Sequence, residues 1–290
     1  MENRTKIGKY LLLSVLLCFY NLSVLSQINS VIEKTKSKDW EPLLDASLSK
    51  WDVWTGVPEP GVLGLPANYN VPNQGKPTEP IGLGDPMGIY KVAVKNGEPI
   101  LNIEAHVYAG LTSKKDYANY HLTALVKFGD KKYPPRLNQK RDNGILYHCY
   151  GEHGAFWKVW KRCLEMQVQE TDMGDLYLLA GTDAKARVDD TNHWTKDGTR
   201  FSKNAKRSED FENPHGEWTR IDLYVVGDSA IHVVNGQVVM ALEDAKDHKG
   251  RALTSGQIQI QSEAADCFYK DLNIRPISKF PKKVRKAAGF

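Results

Sequence analysis

The stretch Cys163-Leu164-Glu165-Met166-Gln167-Val168-Gln169-Glu170 alternates apolar and polar side chains with a period of two. That is the period of a β-strand, whose successive side chains point to opposite faces. Leu164, Met166 and Val168 then share a core face, while Glu165, Gln167 and Gln169 share the other. A carboxylate accepts hydrogen bonds strongly and amides both donate and accept, so this polar row suits sugar hydroxyls. It also suits the solvated face of an ordinary sandwich.

The same reading extends along the chain. Pro99–Val107 puts Leu101, Ile103, Ala105 and Val107 on one side. His121–Phe128 directs Leu122, Ala124, Val126 and Phe128 inward and His121, Thr123 and Lys127 outward. Residues 144–150, 176–180, 220–226, 230–242, 257–261 and 268–274 continue the series, with Asn235-Gly236 as a hairpin turn signal. Two long irregular loops are predicted, one over Val57–Pro86, rich in Pro, Gly and Asn, and one over Asp183–Gly216. Residues 27–50 read as a short helix-prone opening anchored by Trp40, Leu43 and Leu44. No amphipathic helix of any length separates the strands. The expected fold is therefore all-β, a jelly-roll β-sandwich with long surface loops.

Composition bounds the function. Residues 1–26 combine Arg4, Lys6 and Lys9 with an apolar run from Tyr10 to Leu25, the pattern of a cleaved leader. Export to the periplasm or the outside is expected, with residues 27–290 as one domain. The formal charge of +4 falls to +2 without the leader, too balanced to suggest nucleic acid. No later apolar run is long enough for a membrane span. Cys149, Cys163 and Cys267 allow at most one internal disulfide. The basic end, Lys279–Phe290, reads as a solvated tail.

Chemistry has to be sought among acids, amides and histidines, because GxSxG, Walker, dinucleotide and HExxH motifs are all absent. The densest such region is Asp142–Gly181, DNGILYHCYGEHGAFWKVWKRCLEMQVQETDMGDLYLLAG. This string resembles the centre of the 3-keto-disaccharide hydrolase family. Leu44-Asp45-Ala46-Ser47-Leu48 with Trp51, Tyr117–Leu122, Gly216-Glu217-Trp218, Val234-Asn235-Gly236 and Gly256–Glu263 resemble further family elements in the same order. The resemblance covers about residues 40–276.

It implies a concanavalin A-like sandwich and carbohydrate chemistry on a sugar already oxidised to a ketone at C3. Such a ketone acidifies the hydrogen on C2. One base can then remove that proton, and the group on C1 leaves by elimination; water added afterwards makes the net outcome hydrolysis. The enolate needs an electrophile, either a divalent metal ion or fixed hydrogen-bond donors. Glu165 is the first choice as catalytic residue, as general base or metal ligand, with His148 as base, acid or ligand and Glu170 as a third member. Gln167, Arg141, His153, Trp157, Gln261 and Glu263 are candidates for binding substrate. The identity of any metal is left open. A non-catalytic, lectin-like carbohydrate-binding module is the alternative, since this type of sandwich serves both roles.

Overall fold

The computed structural model describes residues 39–71 and 76–290. The first nine strands are β1 (Glu41–Pro42), β2 (Trp51–Thr55), β3 (Gly82–Leu83), β4 (Tyr90–Lys95), β5 (Glu98–Ile103), β6 (Ala109–Ser113), β7 (Tyr120–Lys132), β8 (Gly144–Tyr150) and β9 (Arg162–Gln167). There follow β10 (Leu176–Leu179), β11 (Asp183–Val188), β12 (Arg200–Ser202), β13 (Thr219–Val226), β14 (Ser229–Val234), β15 (Gln237–Lys246), β16 (Gln257–Ser262) and β17 (Ala265–Pro276). A helix, α1 (Lys282–Ala288), closes the chain.

The strands form two antiparallel sheets. The larger runs β12-β11-β15-β14-β13-β7-β17-β5-β4, with β1 added on β17; the smaller runs β10-β9-β8-β16-β6-β2-β3. Their inner faces interdigitate in one core. Leu122, Ala124, Val126 and Phe128 of β7 meet Leu164 and Met166 of β9 and Ile258 and Ile260 of β16 there. Burial of such side chains at about 25 cal/mol per Å² is the main force holding a two-layer sandwich together. The jelly-roll sandwich expected from alternation is the fold observed.

Several expectations are corrected. Residues 39–50 carry β1 and turns rather than helix, and Trp51 donates its Nε1–H to the Leu43 carbonyl at 2.7 Å. His121 and Thr123 lie on the outer face of the larger sheet yet are buried. Trp40 packs edge-on against His121 at 4.8 Å, and Asp222 holds His121 Nε2 at 2.8 Å. The supposed loop over 183–216 contains β11 and β12, where Ala184, Ala186 and Val188 alternate inward between charged residues. The tail folds into α1 and buries Val284 and Ala288. Strands β2, β3, β4 and β6, unmarked in the sequence reading, complete both sheets, and β3 falls inside the loop expected over Val57–Pro86. All three described cysteines are free and buried, so the chain has no disulfide among them.

The Asn235-Gly236 turn is as expected, with both residues at positive φ between β14 and β15. The leader lies outside the described residues. Among the described residues, no helix is long and apolar enough to cross a membrane.

Candidate active site

The outward row of β9 faces away from the core, on the outer face of the smaller sheet. Gly144 of β8 pairs with Gln167 of β9, and Gln261 of β16 pairs with Gly110 of β6. Gly144 is what lets the polar side chains converge. A Cβ there would lie 2.5 Å from Gln261 Oε1 and closer still to Glu165 Oε1. Both oxygens are buried and without a hydrogen-bond donor. Buried acceptors without donors are uncommon and call for a proton or a ligand.

Next to this pair stand two more acids. Asp142 and Glu263 are opposed across an antiparallel bridge, which sets their side chains together. Arg136, on the loop between β7 and β8, spans them, with Nη1 3.2 Å from Glu263 Oε1 and Nη2 2.5 Å from Asp142 Oδ2. Gln169 donates to the same Asp142 oxygen. Burial and then the Glu263 and Asp142 charges push Glu165 well above the ordinary carboxyl range, which favours its protonated form. Glu263 is raised to about 8 by burial and by Asp142, with Arg136 opposing. Asp142 is raised as well, by burial, against Arg136 and Gln169. Half-buried Tyr108, stacked on Trp160, is raised by burial and by the Glu263 charge, so its phenol stays protonated. Tyr177, directly opposite Glu165 on β10, is 41 % exposed and forms the rim.

One flank of the site is built by residues 151–161. Leu146, Cys149, Val159, Trp160, Cys163 and Leu179 make a second small core on the outer face, joined by Tyr108 and Phe156. Trp160 is fixed by its Nε1–H to the Ala109 carbonyl at 3.2 Å and stacks on Tyr108 at 5.8 Å. Gln259 lies over Gly110, accepts the Lys161 N–H and donates to Thr112 Oγ1, so it anchors this flank. Of the polar residues of β16, Gln261 is thus left to face the acids.

The predicted residues divide accordingly. Glu165, Gln261 and Glu263 are brought together, with Gln167 adjoining and accepting the Val168 N–H. His148 is not among them. A bulge between Tyr147 and Tyr150 puts it at φ 52°, and its ring turns toward the Gly227 backbone of the other sheet. Burial lowers its pKa to about 4, against an opposing contribution from the Gly227 backbone, so it stays neutral.

Glu170 and Arg141 also lie apart from Glu165. Arg141 Nη1 pairs with Glu170 at 3.1 Å, and His215 joins that carboxylate at 2.9 Å and Asp130 at 3.0 Å. Burial would raise Glu170, but these partners outweigh it and leave the pKa lowered. Glu170 borders an open cavity of about 440 Å³ with Lys127, Glu212 and His215. Its carboxylate is already paired, whereas Glu165 and Gln261 present acceptors that are not, and this makes the Glu165 face the candidate site. His153 stacks on Trp54 at 5.3 Å, and Trp157, 65 % exposed, stacks on Phe156 at 4.7 Å; both belong to the flanking loop.

Arg136, Asp142 and Tyr108 were missed in the sequence. Asp142 had a signal, because it opens the strand that carries Gly144, but its pairing with Glu263 is a property of register. Among the described residues no three His, Cys, Asp or Glu side chains are grouped to hold a metal ion. Arg136 already spans Asp142 and Glu263, so the residues present do not fit a resident metal there.

A candidate glycosyl hydrolase from Parabacteroides distasonis is similar in structure, at 14% identity and a TM-score of 0.48, covering 82% of this chain and 99% of its own. A galectin-like protein of unknown function from Bacillus subtilis is similar at 11% identity and a TM-score of 0.49, covering 84% of this chain and 98% of its own. The carbohydrate-binding module CBM66 from Bacillus subtilis is similar at 8% identity and a TM-score of 0.41, covering 64% and 91%. No curated protein matches the chain in sequence. The sequence model of one family matches residues 39–275, which take in every strand but the last residue of β17 and every residue of the site. The chain belongs to the 3-keto-alpha-glucoside-1,2-lyase-like domain family.

Proposed function

We propose that this protein cleaves the glycosidic bond of 3-keto-glycosides, by proton removal at C2 and elimination, with hydration completing a net hydrolysis. Membership of its family supports a carbohydrate-active role. The observation that carries the reading is the division within the acid cluster. Burial and neighbouring acids favour a proton on Glu165, beside Gln261, while Glu263 shares the Arg136 fork with Asp142.

A base and an acid are what the elimination requires. Glu263 takes the C2 proton and its electron pair forms the C1–C2 double bond. The bond from C1 to the leaving oxygen breaks, and Glu165 gives its proton to that oxygen. Gln261 orients the ring hydroxyls, and the Tyr108 hydroxyl is a neutral donor for the C3 carbonyl oxygen, where negative charge develops. A sugar with no ketone to acidify C2 would have to lose its leaving group by direct displacement, for which the two acids need a stricter spacing. The leader-like residues 1–26 support work outside the cytoplasm.

The test is aglycone release from a 3-keto-glucoside and from the matching unoxidised glucoside, by wild type and Glu165→Gln. Release from the keto substrate alone, falling at least about 100-fold in the variant, is expected for loss of a general acid. Saturable sugar binding with no release from either substrate would replace this reading with the lectin-like one.

A further inference from the structure

The acid cluster poses a problem of charge. Three carboxyl groups, from Asp142, Glu165 and Glu263, are buried within range of one another's charge, and each is under 10 % exposed. Two like charges about 4 Å apart cost on the order of 4 kcal/mol even at an effective dielectric of 20. Arg136 is the cation that contacts the cluster, and both of its terminal nitrogens are spent on Asp142 and Glu263. Its Nε is buried and unpaired, as is Asp142 Oδ1. Among the described residues, the other groups that face these acids are neutral or acidic: Tyr108, Tyr177, Tyr269, Cys149, Cys163, Asp172 and, toward Tyr108, Glu59.

We propose that Arg136 and Asp142 are a positioning pair that makes Glu263, and not Glu165, the proton acceptor of the site. This rests on the reading of the site given above. The backbone bridge between Asp142 and Glu263 fixes the two carboxyls as neighbours, and the planar guanidinium fork binds one with each arm. Glu165 comes from β9, on the far side of Gly144, and contacts an amide instead of the fork. The proton therefore stays on Glu165.

Asp142 has the complementary task. A guanidinium given wholly to Glu263 would make it an inert, strongly acidic carboxylate. Because Asp142 takes half of the fork, Glu263 gives up its own proton only as pH approaches about 8, and its ionised form is then basic enough to take the proton from C2. Neither residue touches substrate in this account. Both act through Glu263.

The two members predict opposite shifts, which a merely structural role would not produce. The measurement is the carboxyl ¹³C titration of Glu263 in ¹³C-glutamate-labelled protein, assigned with Glu263→Gln and read beside the pH profile of aglycone release. Arg136→Met should move the Glu263 titration upward and Asp142→Asn should move it downward, each by about one pH unit or more, a tenfold change in ionised fraction. Arg136→Lys should keep most of the wild-type value, and the double variant should return toward it. The alkaline-rising limb of the rate should follow each shift.

A Glu263 titration unmoved by both single variants would overturn the proposal, even if activity fell. So would a wild-type protein in which Glu165 gives up its proton before Glu263. If Arg136→Met does not fold, Asp142→Asn and Arg136→Lys still decide it. Titrations as predicted, with no release from any keto-glycoside, would leave the pairing intact and remove the enzymatic reading instead.

Discussion

Glu165 and Gln261, from strands β9 and β16, meet over Gly144 of the strand between them, and the missing side chain of that glycine is what admits both. A methyl group there would sit 2.5 Å from the Gln261 oxygen and nearer still to Glu165. Gly144→Ala is therefore expected to push the acid and the amide apart. Aglycone release should fall at least about 100-fold, with a loss of about 1–3 kcal/mol in stability from overpacking. Chemical denaturation and turnover of the same preparation check this. Near-normal turnover would show that the Glu165–Gln261 contact is dispensable.

The buried acids should also make stability fall as pH rises. The folded pKa of Glu263, about 8, exceeds its unfolded value of 4.5. The folded state therefore binds the extra proton between those two values. Its contribution is fully present below pH 4.5 and is lost as pH rises through 8. Glu263→Gln has no such proton to lose. Its stability relative to wild type should grow between pH 5 and pH 9 by an amount on the order of 3 kcal/mol. Thermal melts of the two proteins across that range test the sign, and parallel curves would contradict it.

Glu170 should behave as a structural acid. Its partners are Arg141 and His215, and none of them meets Glu165. Glu170→Gln is expected to cost roughly 1 kcal/mol, in keeping with a partly exposed pair. Turnover on a 3-keto-glucoside should stay within about twofold of wild type, because no group in the proposed proton transfers is changed. A loss of turnover without a loss of stability would return Glu170 to the catalytic set.

Much of this arrangement could be read in the sequence, and the parts that could not share a cause. Alternation in Leu164–Val168 and Leu122–Phe128 reports directly on which face is buried, so both core rows and the outward Glu165 followed from it. The row on β16 was visible for the same reason, although its amides have different tasks. Gln259 anchors the flanking loop and Gln261 faces the acids, and only three-dimensional contacts separate them. His148 was misplaced because a bulge breaks the two-residue period at that point. Arg141 and Asp142 are neighbours in sequence but face different partners, Glu170 for one and Arg136 for the other. Arg136 sits on a loop, where no periodicity tells which way a side chain points. Strand β11 went unseen because its inward residues are two alanines and a valine set among Asp183, Lys185 and Arg187.

In the proposed elimination, Glu263 removes the C2 proton and Glu165 supplies a proton to the leaving oxygen. The most direct measurement uses a 3-keto-glucoside carrying deuterium at C2, followed by mass analysis of the sugar product together with the rate of aglycone release. Loss of the deuterium to solvent in step with release, at a slowed rate, and the disappearance of both in Glu263→Gln, is the predicted result. Release with the deuterium retained at C2 and no slowing would contradict elimination and require direct displacement at C1.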